Sequence, residues 1–230
     1  TCTTYGTQLL QPFSNIRAST HNISVIDPLY TVPFLVCLII ASFFSRTHSY
    51  RAIFGWLGFG LSSAYLAFTF YNKAQVNAVY KTSLTKNKIE YQGLLTTPTI
   101  GNNILWQGIA ESDSVYYHAM YSILDQQPEI NRFTALPKNH HLLLPFEAQR
   151  EVAITKWLSN GWYNVIELPN NHLQINQLRY GSFKPVIESP NDYLFSTVFK
   201  IENDKLISVD RSFNREDISW EVFWNRLKGI

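Results

Sequence analysis

The chain has 230 residues, enough for one large domain or two small ones. Its formal net charge is +2, and no basic stretch carries interleaved aromatic residues, so the composition gives no support for a nucleic-acid partner. Only two cysteines are present, which argues against a disulfide framework and, because they form no Cys-x-x-Cys pair, excludes a thiolate zinc site.

The first predicted elements are two apolar helices. Residues 28–45 contain no Asp, Glu, Lys or Arg, and neither do residues 52–72. Asp27 can cap the free N–H groups of the first helix, and Pro28 suits its first position. Each stretch is close to the ~20 residues that cross a bilayer. The pattern therefore predicts a transmembrane helical hairpin; the alternative is two buried core helices of a soluble protein.

Small residues recur along the second helix at a spacing of four, as Gly58-x-x-x-Ser62 and Gly60-x-x-x-Ala64. This spacing lets helix backbones approach closely in lipid. We therefore expect the second helix to pack against a neighbouring helix along this stripe.

The charges around the hairpin predict its orientation. The loop between the helices carries Arg46 and Arg51. More cations lie on the other side of the two helices: Arg17, Lys73, Lys81, Lys86 and Lys88. Because cytoplasmic loops carry an excess of Lys and Arg, we expect a multi-pass protein of the cell (inner) membrane whose soluble part lies in the cytoplasm.

The rest of the chain predicts an α+β fold. Residues 1–87 would form the membrane region, with the second span extended as a helix to about residue 87. Residues 88–230 would form a soluble antiparallel-sheet domain. Three β-hairpins are expected at the turns Asp113-Ser114, Pro169-Asn170-Asn171 and Glu202-Asn203-Asp204. Two helices are expected, over 145–161 with Gly161 as the stop and over 219–229 with Ser219 as the cap.

Three groups of residues could carry chemistry, and each has a structural alternative. The tandem His140-His141 could bind a metal, although neighbours on an extended chain point to opposite faces. The carboxylates Glu111, Asp113 and Asp125 could meet across a hairpin or simply be solvated.

Asn102, Asn103 and Trp106 form the third group. Buried Asn side chains need hydrogen-bond partners, and Trp offers a flat apolar wall. The three could form a binding patch or a turn packed on its own strand.

The opening TCTTYGTQLLQPFS, followed by VIDPLYTVP, resembles the YdjM-like family of membrane-bound metal-dependent hydrolases. That family shows Asp-x-x-Thr-x-Tyr-Gly-Thr, then Pro-Phe-Ser, then Asp-Pro-Leu-Tyr at the start of a span. The segment TTPTIGNNILWQGIAESDSVYYHAMYSILD and the residues LRYGSF fit the family as well. The sequence departs from the family at Ile100-Gly101, where Pro-Phe is expected.

The resemblance implies that a His-x-x-x-Asp motif precedes Thr1, and that the chain is a C-terminal fragment lacking the expected metal ligands. A divalent metal, with zinc as the ion that the resemblance favours, would activate water for hydrolysis. The residues placed to hydrogen-bond those ligands and orient them are Thr3, Tyr5, Thr7 and Gln8, with Gly6 supplying a tight turn. The alternative is that these hydroxyls satisfy local backbone.

The resemblance therefore predicts a membrane-bound hydrolase that acts on a small molecule or lipid, with a phosphate ester as one candidate. The rival hypothesis is a membrane-anchored binding or regulatory module without catalysis. A structural subunit of a transporter is a third, weaker interpretation, because neither span carries a charged residue that could mark a pathway.

Overall fold

Two helices, α1 (Pro28–Ser42) and α2 (Ser49–Lys86), dominate the first third of the chain. The computed structural model describes residues 1–182, 184–203, 205–210 and 220–230. Asp27 caps α1 as predicted, since its side chain accepts from the backbone N–H groups of Leu29 and Tyr30. Helix α1 ends three residues before the predicted limit of 45. Helix α2 runs to Lys86, which confirms the predicted extension beyond residue 72.

The chain divides into two compact units. The first contains Thr1–Ala78 and Thr97–Ile104; the second contains Val79–Thr96 and Leu105–Ile230. The division falls inside α2, whereas the sequence predicted a boundary after residue 87.

In the first unit, α1 and α2 pack closely where glycine leaves room. A Cβ on Gly58 would lie 2.9 Å from the Cβ of Cys37 and 3.3 Å from the Cδ2 of Phe34. Gly58 and Ser62 are both buried, as the predicted small-residue stripe requires. Gly60, by contrast, is exposed, and a Cβ added to it would have nothing within 4 Å, so the second small-residue pair does not serve this contact.

The outer faces of the two helices are apolar and exposed. On α2, which is long and apolar enough to cross a membrane, only 17% of the most apolar window is buried. Exposed apolar side chains on both helices include Leu29, Val32, Leu35, Val36, Leu38, Ile39, Ile53, Trp56, Leu57, Phe59, Leu61 and Phe68. A core helix of a soluble protein would bury most of this surface. The exposure therefore favours the membrane interpretation over buried core helices.

The second unit is built on two four-stranded antiparallel sheets, which confirms the predicted α+β class. The first sheet has the order β1-β2-β3-β4 and the second β5-β6-β7-β8. The strands are β1 (Gly93–Pro98), β2 (Leu105–Glu111), β3 (Val115–Ser122), β4 (Thr134–Pro137), β5 (Tyr163–Leu168), β6 (His172–Gln177), β7 (Ser196–Glu202) and β8 (Lys205–Asp210). Strand β1 begins in the second unit and ends in the first.

All three predicted hairpins form, as β2–β3, β5–β6 and β7–β8. At the second turn Asn170 and Asn171 both have positive φ, 60° and 57°. Such a two-residue turn matches the twist of the flanking strands, and Asn tolerates it. The Asp204 of the third turn lies outside the described residues.

Two further helices complete the second unit, α3 (Arg150–Ser159) and α4 (Trp220–Leu227). Helix α3 starts five residues later than predicted, because residues 140–146 form a 3-10 helix and Gln149 is extended. It stops as predicted, with Asn160 and Gly161 in the left-handed region. The predicted cap Ser219 of the last helix lies outside the described residues.

Apolar side chains of the second sheet, the 3-10 helix and α3 form the main core of this unit: Leu143, Phe146, Val152, Tyr163, Val165, Leu173, Ile175, Phe199 and Leu206. The first sheet packs on the segment that follows β6, through Ile109, Tyr116, Leu178 and Ile187. The last turns of α2 cover the other face of this sheet. There the Tyr80 hydroxyl donates to the carbonyl oxygen of Ala119 at 2.7 Å.

Candidate functional site

Buried polar side chains converge in the first unit, where the N-terminal segment, α2 and the loop after β1 meet. We call Thr4, Asn22, Thr69, Asn72, Thr97 and Asn103 the polar cluster. Every member is less than a tenth exposed, and Asn22 and Thr69 are fully buried. Buried polar groups are tolerated only when they are hydrogen-bonded, so the partners in this cluster decide its role.

Asn103 is the centre of the polar cluster. Its Nδ2 donates to the carbonyl oxygen of Asn22 at 2.8 Å, and its Oδ1 accepts from the Nδ2 of Asn72 at 2.9 Å. Asn22 in turn donates from Nδ2 to the Thr69 hydroxyl at 2.7 Å. One amide side chain therefore connects the N-terminal segment to α2 across separations of 81 and 31 residues.

A second link joins the opening of the chain to the end of β1. The hydroxyls of Thr4 and Thr97 lie 2.6 Å apart, and both side chains are buried. Thr97 belongs to the Thr-Pro-Thr sequence at residues 97–99. The start of the chain and the segment around residue 100 thus contact each other in the folded first unit.

Asp27 anchors the start of α1 beside α2. One carboxylate oxygen accepts from the N–H groups of Leu29 and Tyr30, and the other accepts from the Tyr65 hydroxyl at 2.9 Å. The residue is 2% exposed. A buried carboxylate is stabilised here by backbone donors and by the positive end of the helix dipole.

Lys73 contacts the N-terminal segment one turn beyond Thr69. Its Nζ donates to the carbonyl oxygen of His21 at 3.0 Å. The contact lies at the end of the charge-free stretch 52–72. It fixes residues 21–22 beside the point where α2 becomes polar.

The residues that the resemblance placed near the site take different positions. The Thr3 carbonyl accepts from the Ser19 hydroxyl at 2.5 Å, and Thr7 pairs through its backbone with Ala18. Gln8 donates to the carbonyl oxygen of Asn15, and Tyr5 is 41% exposed. Of these residues, none belongs to the polar cluster.

Gly6 lies in the left-handed region of backbone conformation, with φ at +71°. A Cβ there would also lie 3.1 Å from the Cβ of Arg17. The glycine therefore permits both the turn and the close approach of the two arms of the N-terminal segment.

The proposed patch of Asn102, Asn103 and Trp106 is divided by the fold. Asn102 closes its own turn, since its Oδ1 accepts from the Ile104 N–H and its Nδ2 donates to the Thr99 hydroxyl. Trp106 belongs to the second unit and is fully buried, so it offers no open wall. Only Asn103 joins the polar cluster.

The other candidates are structural. Lys138 pairs with Glu111 at 2.8 Å, Arg226 pairs with Asp125, and Asp113 accepts from Gln92, so the three carboxylates do not share one site.

His140 stacks on the Tyr163 ring with centroids 4.1 Å apart, and its Nε2 lies 2.8 Å from the Tyr163 carbonyl oxygen. The pKa of His140 is lowered, and burial of the imidazole is the main cause. These contacts give the imidazole a packing role.

Sequence reasoning missed five of the six members of the polar cluster. The available indication was the polar pair Thr69 and Asn72 at the end of an apolar helix, where a hydrogen-bonding side chain needs a partner. Nothing local in the sequence indicates that Thr4 and Asn22 supply the facing groups.

The polar cluster offers hydroxyl and amide groups, which are not the His, Cys and carboxylate ligands of a zinc centre. Within the part of the chain that the structure describes, no three His, Cys, Asp or Glu residues come together to hold a metal ion. The described residues therefore offer no ready-made set of metal ligands.

The comparisons with known proteins do not add a function to this geometry. No family model, no curated protein and no solved structure matches the chain.

Proposed function

We propose that the chain is part of a membrane-bound metal-dependent hydrolase and that the polar cluster positions the segment leading to its active site. The observation that carries the proposal is the pair of contacts made by Asn103, to Asn22 and to Asn72. They hold residues 22 and 103 beside α2, and the Thr4–Thr97 contact joins the two segments on which the resemblance to the YdjM-like family depends.

The metal ligands in this proposal come from sequence that precedes Thr1. A bound divalent ion, with zinc as the first choice, would supply an activated water. The chain itself contributes positioning: the hydrogen bonds from Thr1, Ser19 and Asn22 hold its first residues against the 17–24 segment. The substrate is a small molecule or a lipid, and a phosphate ester is the class to test first.

The same proposal places the chain in the cell inner membrane as a multi-pass protein. Helix α2 supplies one span and α1 the shorter arm of the hairpin, since 15 residues rise only ~22 Å. The exposed apolar faces of both helices support lipid contact, and the cation distribution supports a cytoplasmic second unit.

The test compares two purified forms in detergent: a longer form with the upstream segment that the proposal requires, and the chain from Thr1 onward. Elemental analysis should find stoichiometric zinc in the first and little in the second. Hydrolysis of p-nitrophenyl phosphate and of a phospholipid should follow the metal. Asn103→Ala should reduce metal content and activity, whereas the exposed Asn131→Ala should not.

Two outcomes would contradict the proposal. Robust zinc-dependent hydrolysis by the chain from Thr1 onward would show that its ligands do not lie upstream. Absence of metal and activity in the longer form would favour a membrane-anchored binding or regulatory module.

A further inference from the structure

The loop between Gln8 and Ile16, which we call the N-terminal loop, turns its apolar side chains outward. Leu9 is 64% exposed, Leu10 58%, Phe13 94% and Ile16 68%. Surface loops of water-soluble proteins normally present polar residues, and four large apolar side chains in eight positions form a patch rather than a scattered exposure.

Polar side chains of the same loop form hydrogen bonds within the loop itself. Gln11 donates from Nε2 to the Oε1 of Gln8 at 2.9 Å, and Gln8 donates to the carbonyl oxygen of Asn15 at 3.4 Å. The Ser14 hydroxyl accepts from the Ile16 N–H at 3.2 Å, and the Ser14 N–H donates to the Leu10 carbonyl oxygen. The loop therefore satisfies several of its polar groups through its own hydrogen bonds.

Residues 1–16 contain no charged side chain and no histidine, and Arg17 is the first residue with a charged side chain. Charged side chains are the most costly groups to bring near hydrocarbon. Their absence removes the main obstacle to contact between this loop and a bilayer.

The residues that follow the base of the loop contact α2 where it leaves its apolar stretch. The backbones of Thr7 and Ala18 pair, and the residues just beyond contact α2 through Asn22–Thr69 and His21–Lys73. If residues 52–72 cross the hydrocarbon, Thr69 and Lys73 lie at its boundary. Ala18, at the base of the N-terminal loop, is then three residues from His21, which accepts from Lys73 at that boundary.

From these observations we infer that the N-terminal loop inserts into the boundary between headgroups and acyl chains of the bilayer. Leu9, Leu10 and Phe13 contact lipid there. The inference rests on the membrane placement in the proposed function. The interface suits an irregular loop, because its remaining backbone groups still reach water and headgroups. Helices α1 and α2 of the same unit also expose apolar side chains.

Nitroxide accessibility tests this placement in vesicles of phosphatidylcholine and phosphatidylglycerol. The background carries Cys2→Ser and Cys37→Ala, and single cysteines replace Phe13, Leu57 or Thr47 for labelling. Leu57 reports the outer face of α2, and Thr47 reports the exposed loop after α1. Labels at 13 and 57 should collide several-fold more with oxygen than with a water-soluble nickel complex. The label at 47 should show the reverse.

The controls separate failure of the inference from failure of the membrane proposal. An aqueous label at 13 with a lipid-exposed label at 57 overturns the inference alone. Aqueous labels at both positions overturn the membrane placement as well. A label at 13 that is shielded from both reagents indicates a second copy or another protein segment on the patch, and also overturns the inference. Leu10→Cys repeats the measurement at a second position of the loop.

Discussion

Asn103 is the residue on which the polar cluster depends most. We expect Asn103→Ala to lower the free energy of unfolding by about 1–3 kcal/mol, because it leaves the Asn22 carbonyl oxygen and the Asn72 amide buried without this partner. Thermal unfolding in detergent, followed by tryptophan fluorescence, measures the change.

The matched control for Asn103 is Asn131→Ala, which truncates an exposed amide. Its thermal unfolding midpoint should stay near that of the wild type, since substitutions at exposed positions usually change stability little. Equal midpoints for the two variants would show that the polar cluster does not hold the N-terminal segment.

His118 is a buried residue whose protonation should make stability depend on pH. It is 1% exposed on β3, opposite Ile109 of β2 and Thr134 of β4. Within the described residues neither ring nitrogen has a hydrogen-bond partner. Burial lowers the pKa of His118 from 6.5 to about 4.

The sign of this pH effect follows from the two pKa values. Between about pH 4 and 6.5 the unfolded chain binds a proton that the folded chain does not, so stability falls as the pH falls through this window. The slope approaches about 1.4 kcal/mol per pH unit. Above pH 6.5 this contribution to stability is fully present.

His118→Leu removes the titrating group and replaces it with an apolar side chain of similar size. We expect the stability of the variant to depend less on pH between 6.5 and 4 than that of the wild type. Denaturant midpoints at pH 7 and pH 5 measure the difference, and His141→Leu, which removes an exposed imidazole, is the reference. Identical pH slopes for His118→Leu and the wild type would show that His118 is not buried as a neutral group.

The packing of α1 against α2 depends on Gly58 and not on Gly60, although the sequence gives both glycines the same small-residue spacing. Gly58→Ala places a Cβ 2.9 Å from that of Cys37, so α1 and α2 must separate. We expect a loss of about 1–3 kcal/mol. Gly60→Ala meets nothing within 4 Å and should be neutral or stabilising by about 1 kcal/mol, because Ala favours the helix.

Thermal midpoints of the two alanine variants, measured in the same detergent, test this difference. Leucine, which is larger than alanine, should increase the difference in thermal midpoint between the variants at the two positions. Gly58→Leu should therefore unfold at a lower temperature than Gly60→Leu, by a wider margin than the alanine variants. If the two positions tolerate alanine equally, then α1 and α2 do not pack through Gly58.

The elements that the sequence predicts correctly are those with local chemical determinants. Asp27 and Pro28 define the start of α1, and turns such as Asn170-Asn171 define the hairpins. Strands β1 and β4 are not joined to a neighbouring strand by such a turn, and the sequence did not predict them. The division of eight strands into two sheets was also missed, since it depends on which hairpins pair with each other rather than on any single segment.

At the scale of the whole molecule, the candidate site is a product of long-range contacts. Asn103 could be chosen from the sequence because a buried amide demands partners, yet its partners are 81 and 31 residues away. Periodicity within a helix cannot reveal such pairs. Trp106, for which the sequence allowed either a binding patch or a turn packed on its own strand, is fully buried.

The orientation of the chain across the membrane gives the last prediction. Residues 46–51 carry two arginines, whereas the opposite side carries Arg17 and four lysines between 73 and 88. In the background without native cysteines, Thr47→Cys should therefore react with a membrane-impermeant maleimide in intact cells. Gln127→Cys, an exposed position after α2, should react only after permeabilisation, because the positive side stays in the cytoplasm. The reverse pattern would show that the hairpin has the opposite orientation, and protection of both cysteines in intact cells would show that residues 46–51 do not reach the far side.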